Sequence, residues 1–289
     1  MMASSMSQPI RHVSDTALWV AMYRAIESDR PDALFKDPWA RRLAGERGEE
    51  ILRTIPRGRE LAWPMVVRTA VMDEIILRLV ASGVTAVVNM AAGLDTRAFR
   101  LALPPSLRWF DIDLPDMIAY RREQLADATP ACVHEHVAID VSDPGGHDAI
   151  ASRVPEGSGQ ALVITEGLLV YLTADQVGAL ADRLHAVREL RWWMTDLASP
   201  QLLKFLSKSW QPSLSAANAP MRFAPEEGTA FFEPHGWRET EFRSTWTESL
   251  RLKRTVPLAR LWNALSRLRP AKARRGQLRM SGVVLLARS

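Results

Sequence analysis

Apolar positions between Thr85 and Leu197 follow two alternating rhythms. Short continuous apolar runs rich in β-branched residues read as strands buried on both faces. They are TAVVNMA (Thr85–Ala91), LRWFDID (Leu107–Asp113), CVHEHVAID (Cys132–Asp140), ALVITEG (Ala161–Gly167) and ELRWWMTDL (Glu189–Leu197). Between them the apolar period lengthens to that of a helix, from Pro115 to about Ala126 and from Thr173 to about Val187. Strands spaced by helices imply βαβ units and a parallel sheet covered on both faces.

The flanks extend this plan. The N-terminal 80 residues are helical by period, with a long helix over Trp63–Ala81. Residues 199–225 read as a helix and then a loop, suited to a substrate wall. FFEPHGWRETEFR turns at Pro-His-Gly into a further strand, and RMSGVVLLARS is a last apolar strand. The expectation is an α/β, Rossmann-like fold: a mostly parallel seven-stranded sheet in one domain, 1–289. A helical cap would occupy about 1–82, a ligand-binding core 83–198, a substrate-cap insertion 199–225 and C-terminal strands 236–289.

Composition narrows the class. With 47% hydrophobic and 24% charged residues, the chain can bury a core. No apolar run approaches the roughly 20 residues of a membrane span. The first twenty residues lack a basic-then-apolar leader, so a cytoplasmic protein without membrane contact is expected. The lone Cys132 leaves neither a disulfide framework nor a cysteine zinc site. The net charge of +4 is uneven: from Arg238 onward, 13 Lys/Arg stand against three Glu. That stretch, densest at SRLRPAKARRGQLR (Ser266–Arg279), is either a solvated face or an anion-binding surface; it lacks the interleaved aromatics of a base-stacking platform.

Candidate chemistry gathers at the strand ends, where open parallel sheets bind ligands. After the first strand comes MAAGLDTR, in which only Gly93 remains of a dinucleotide G-x-G-x-x-G pattern. Pyrophosphate binding is thereby weakened, while a non-phosphate nucleoside could still lie against Ala91 and Gly93. Asp113 ends the second strand where a carboxylate can accept both hydrogen bonds from a ribose diol; alternatively it caps the following helix. Asp111 shares its face by strand alternation and could brace a neighbouring loop. Asp140 ends the third strand, near an adenine amino group, and Glu166 ends the fourth. His134 and His136 face one way, but no third metal ligand has motif spacing. Asp95 and Thr96 suit a helix cap, and Trp192 and Trp193 suit sheet packing. Neither a G-x-S-x-G elbow nor a P-loop is present.

VVNMAAGLDTRAFRL, WFDIDLPDMI and ITEGLLVYL resemble the corresponding blocks of the leucine carboxyl methyltransferase family, which includes the tetracenomycin-type polyketide O-methyltransferases. TALWVAMYRAIESDRPDALFKDPWA and VVRTAVMDEII extend the resemblance, which runs from about Asp15 to Leu180. Ala91 departs from it, because many members have glycine there. The resemblance implies a class I methyltransferase fold with S-adenosyl-L-methionine (SAM) as cofactor. It implies that Arg68, helped by Arg24, pairs with the methionine carboxylate, and that Ala91 and Gly93 admit the cofactor to the backbone. It places Asp113 on the ribose, Asp140 and Val141 about the adenine, Glu166 near the amino group and sulfonium, and Tyr171 at the reaction site. For three of these an ordinary structural role is the alternative: Arg24 with Glu27, Arg68 with Asp73 or Glu74, Tyr171 in the core.

The expected reaction is O-methylation of a small-molecule or polyketide-like acceptor, most simply at a carboxylate, which is ionised at pH 7 and needs no base. A phenol or alcohol acceptor is the alternative. Arg222 and Arg243 are candidates to clamp an acidic acceptor. A nicotinamide-dependent oxidoreductase and a nucleic-acid-binding module are the rivals from other classes; the missing glycines disfavour the first.

Overall fold

The computed structural model describes residues 13–54, 58–141, 159–206, 221–266, 276 and 278–289. Within them lie seven strands: β1 Val84–Met90, β2 Arg108–Asp113, β3 Val133–Ala138, β4 Gln160–Thr165, β5 Leu190–Ala198, β6 Trp237–Ser244 and β7 Ser281–Arg288. They form one sheet in the order β3-β2-β1-β4-β5-β7-β6. β3, β2, β1, β4 and β5 pair in parallel, and β7 runs antiparallel to both β5 and β6. The strand order reverses beside β1, so the carboxyl ends of β1, β2 and β4 open onto the switch point where ligands bind.

The helices are α1 Val13–Ser28, α2 Ala40–Thr54, α3 Trp63–Ala81, α4 Arg97–Arg100, α5 Pro115–Gln124, α6 Ala174–Ala186, α7 Thr245–Arg251 and α8 Ala259–Ser266. Strand alternation sorts the core into two layers. Val87, Trp109, Leu162, Ile164 and Met194 pack under α1, α2 and α3. Ala86, Val88, Phe110, Val163 and Trp193 pack under α6 and the 3-10 turn Gly228–His235. Trp193 is fully buried and donates to the Thr165 hydroxyl (2.8 Å), as a sheet-core residue should, whereas Trp192 is only half-buried.

Local signals account for the boundaries. α3 opens with proline in its first turn, where the missing N–H is harmless. α6 starts with a capping box: the Thr173 hydroxyl accepts from the Gln176 N–H while the Gln176 side chain accepts from the Thr173 N–H. The expected third strand shortens, ending at Ala138, so Asp140 lies beyond the ladder although the Ile139 N–H still reaches the Asp113 carbonyl (2.9 Å). The C-terminal region expected as strands also contains α7 and α8, between β6 and β7. Of the insertion at 199–225, residues 200–206 are helical and 207–220 lie outside the described residues, as does the dense basic run at 267–275.

Candidate active site

The loop from Ala91 to Thr96 leaves β1 at the switch point. Ala91 (φ 50°) and Gly93 (φ 51°) both adopt the left-handed conformation that bends the chain back. Glycine takes this conformation freely, and an L side chain resists it; the departure at Ala91 is therefore a strained position. The Ala92 N–H donates to the Ile112 carbonyl (3.0 Å) and the Gly93 N–H to Asp113 Oδ2 (2.7 Å). Asp113 Oδ1 accepts from the Leu114 N–H (2.7 Å). Each carboxylate oxygen retains a further lone pair able to accept a hydrogen bond. Burial pushes the Asp113 carboxyl up, and the two amides hold it back. Asp113 does not cap α5, whose N-cap is Leu114 without a side-chain bond.

Beneath the loop sits Asp111, 1% exposed. It accepts from Trp109 Nε1 (2.9 Å), from Asn89 Nδ2 (2.9 Å) and from Arg121 Nη2, and it meets His134 Nε2 at 2.8 Å. Burial would raise its pKa, but Arg121 and His134 hold it well below the ordinary carboxylate range. Asn89 also reaches Asp95 (3.1 Å), and Arg121 Nη1 donates to the Gly93 carbonyl (2.7 Å). The expected bracing role of Asp111 is thus made through two neighbours. Asp111 also supplies the third side chain that spacing did not reveal beside His134 and His136: ligand atoms of all three lie within 4.8 Å of one another. The Arg121 guanidinium on the same carboxylate already puts a positive charge there. Burial and Arg121 depress the His136 pKa to about 4.

Alongside lies a buried ionic network. Arg68 on α3 pairs with Glu166 Oε1 (2.8 Å) and Asp196 Oδ2 (2.9 Å), rather than with Asp73 or Glu74. Arg97, 2% exposed, pairs with Asp73, Asp95 and Glu166, each at 2.7 Å. Arg100 pairs with Asp73 (2.7 Å). Asp95 Oδ1 accepts from the Arg97 N–H (2.8 Å) and so anchors the start of α4; the Thr96 hydroxyl instead donates to Asp37 (2.7 Å). Glu166 is partly buried, with its side chain 16% exposed, and desolvation raises its pKa, but Arg97 and Arg68 bring it down to about 2. Asp196, at the end of β5, accepts from the Gly167 N–H (2.6 Å). Its place at a strand end is the signal that singled out Asp113, Asp140 and Glu166, applied one strand further. Arg97 stands within the GLDTR block itself.

The remaining candidates spread around this centre. Arg24 is 8% exposed; it pairs with Asp37 (2.8 Å) and donates to the Leu94 carbonyl (2.5 Å), bracing the loop rather than pairing with Glu27. Tyr171 closes the 3-10 turn Leu169–Tyr171 and packs against the α1–α3 layer. Burial raises its pKa, partly offset by a hydrogen bond with Thr16. Val141 is half-buried against the α6-side layer, and Asp140 is exposed. Arg222 is exposed, and its N–H donates to the Val170 carbonyl (2.7 Å), so its backbone abuts the Tyr171 turn. Arg243 must be corrected as a clamp. It donates twice to Glu248 (2.9 and 2.8 Å) and also to Glu74 (3.0 Å) and Glu241 (3.3 Å), which fills its guanidinium and ties β6 to α3 and α7.

A sequence model of the leucine carboxyl methyltransferases matches residues 17–185, a span that holds the loop, Asp113 and Glu166. The chain belongs to the leucine carboxyl methyltransferase family. A family relative in Streptomyces coelicolor, named for S-adenosyl-L-methionine-dependent methyltransferase activity, is 33% identical over 236 residues, covering 77% of this chain and 82% of its own. A Parafrankia protein of the same description is 32% identical over 269 residues, covering 85% and 83%. These relatives place the chain among the SAM-dependent methyltransferases. The fold agrees with two crystal structures. One, titled as a methyltransferase from Thermobifida fusca, has a TM-score of 0.59 at 16% identity, covering 98% and 97%. The other, a DUF574 family protein from Streptomyces avermitilis, has 0.58 at 13%, covering 93% and 97%. Among the described residues no helix is long and apolar enough to cross a membrane.

Proposed function

We propose that the chain transfers the methyl group of SAM to a carboxylate of a small acidic molecule. The observation that carries the cofactor reading is the balance of charge at the strand ends. Arg68, Arg97 and Arg100 face four carboxylates, those of Asp73, Asp95, Glu166 and Asp196, and Asp113 adds a fifth nearby. A surplus of negative charge complements a ligand with a sulfonium and an ammonium group. A dinucleotide pyrophosphate would meet that same surplus as repulsion, which argues against the nicotinamide alternative.

The cofactor supplies a methyl carbon already activated by positive sulfur. The chain's own work is to bind and align. Asp113 accepts from the ribose hydroxyls while its other lone pairs hold the Gly93 and Leu114 amides. Ala91 and Gly93 give close approach to the backbone, and Asp140 and Val141 flank the adenine. Arg68 offers its guanidinium to the methionine carboxylate, with Arg24 bracing the loop behind it. Glu166 turns toward the ammonium. Tyr171 stands beside the acceptor as an aligning contact, and Arg222 faces the acid group.

Support for a carboxylate nucleophile comes from the protonation states around the site. Burial keeps the proton on Tyr171. Glu166 is held ionised between two arginines, which makes it a poor proton acceptor. An acceptor ionised in advance needs neither. The test is a pH–rate profile combined with product mass, using SAM and a panel of small carboxylic acids. A carboxylate nucleophile, with a pKa near 4, gives a rate flat from about pH 6 to 8. A tenfold rise per pH unit across that window, or products methylated on phenolic oxygen, would overturn carboxyl methylation.

A further inference from the structure

Gly93 is gripped at both ends of its residue. Its N–H rests on Asp113 (2.7 Å), and its carbonyl accepts from Arg121 Nη1 (2.7 Å). Arg121 belongs to α5, its side chain is 0% exposed, and its other terminal nitrogen is bound to Asp111. The guanidinium therefore bridges the rigid floor of the sheet to the loop residue whose amide, together with that of Leu114, orients the Asp113 carboxylate. A second arm rises from the same floor, since Asn89 joins Asp111 to Asp95. The loop lacks the run of glycines that would let it settle freely, and Ala91 stands strained at φ 50°. Something outside the loop must hold its shape, and the planar fork of an arginine can reach two acceptors in fixed geometry.

We propose that Arg121 is a positioning residue for the cofactor's ribose. Anchored on Asp111, it fixes Gly93, and Gly93 fixes the rotamer of Asp113 that receives the diol. Arg121 lies too deep to touch the ligand itself. The proposal rests on the reading of Asp113 as the ribose acceptor.

The test compares S-adenosylhomocysteine with its 2′,3′-dideoxy analogue by calorimetry, on the wild-type chain and on Arg121→Lys. Lysine keeps the buried positive charge, but a single ammonium does not reproduce the fork. The wild type should prefer the diol by roughly ten- to a hundredfold, the worth of a charge-assisted hydrogen bond. In Arg121→Lys the affinity for S-adenosylhomocysteine should fall by about tenfold, while that for the dideoxy analogue barely moves, so the preference shrinks. Equal loss for both ligands means a merely structural role and overturns the proposal, as does an unchanged preference. If the wild type itself shows no preference, the Asp113 reading fails and the proposal falls with it. Should Arg121→Lys fail to fold, the neutral pair Asp111→Asn with Arg121→Gln removes both buried charges, and the same preference decides.

Discussion

Asp113 and Ala91 show how much one position in this loop must do. Asp113 holds two backbone amides and, in the proposed function, would accept from the ribose, so its loss has two separable effects. In Asp113→Ala, affinity for S-adenosylhomocysteine should fall by roughly ten- to a hundredfold, measured by calorimetry. Stability should also fall, by about 1–2 kcal/mol in urea unfolding, because two amides lose their acceptor. Ala91 carries the opposite opportunity. Left-handed alanine costs about 1 kcal/mol, and glycine would relieve that at some expense in unfolded-state entropy. Ala91→Gly should therefore gain about 0.5 kcal/mol, whereas β-branched Ala91→Val should lose more than 1 kcal/mol in the same assay.

Elements are joined here by buried ion pairs as well as by apolar layers. α1 is tied to the turn after α7 by Arg254, which meets Glu27 through Nη2 at 2.8 Å and Nε at 3.0 Å. The two residues are 7% and 2% exposed. Arg254→Met leaves the Glu27 carboxylate in a dry place with the Leu34 N–H (2.8 Å) and, as its nearest cation, the more distant Arg30 (3.7 Å). Breaking a buried pair from one side costs about 3 kcal/mol. A drop of that size in the urea midpoint energy is expected; a loss below about 1 kcal/mol would mean that water reaches Glu27 readily. Helices at this scale were legible from local cues. The Trp63–Ala81 span and the Thr173 cap are set by side chains within a turn of the boundary, so they need no tertiary information.

Across the whole molecule, acid should act in two stages. The His136 pKa is depressed to about 4 from 6.5, so the unfolded chain binds its proton first; stability is full above pH 6.5 and drains as pH falls toward 4. Glu166, lowered to about 2 from 4.5, adds a second loss that begins below pH 4.5, with Asp37 and Asp111 shifted in the same direction. Asp113, shifted upward, opposes them. Urea midpoints followed from pH 8 to 3 should thus start to decline near pH 6.5 and steepen below 4.5. His136→Gln should shrink the first part of the decline, to which His185, lowered by its own desolvation, also adds, and leave the second. A decline that begins only below pH 4.5 in the wild type would contradict the burial of His136. S-adenosylhomocysteine at a hundred times its dissociation constant should raise stability by about 2.7 kcal/mol.

By itself, the sequence determined the alternation of strands and helices, the carboxylates at the strand ends and the family. Each depends on period, turn chemistry or motif spacing, which are local and survive without a partner. The tertiary structure decided what those side chains hold. Arg68 and Asp196 are 128 positions apart, and Glu27 and Arg254 are 227 apart; no spacing rule joins them. Asp113 kept capping of α5 as its alternative until β1 and β2 brought the Gly93 amide to it. Arg243 read as a free cation until the packing of α3 and α7 against β6 added two carboxylates, Glu74 and Glu248, to that of Glu241 on its own strand. A buried charge must find its counterion wherever the fold places one, so partners in a charged core are a property of the packed chain rather than of its neighbours in sequence.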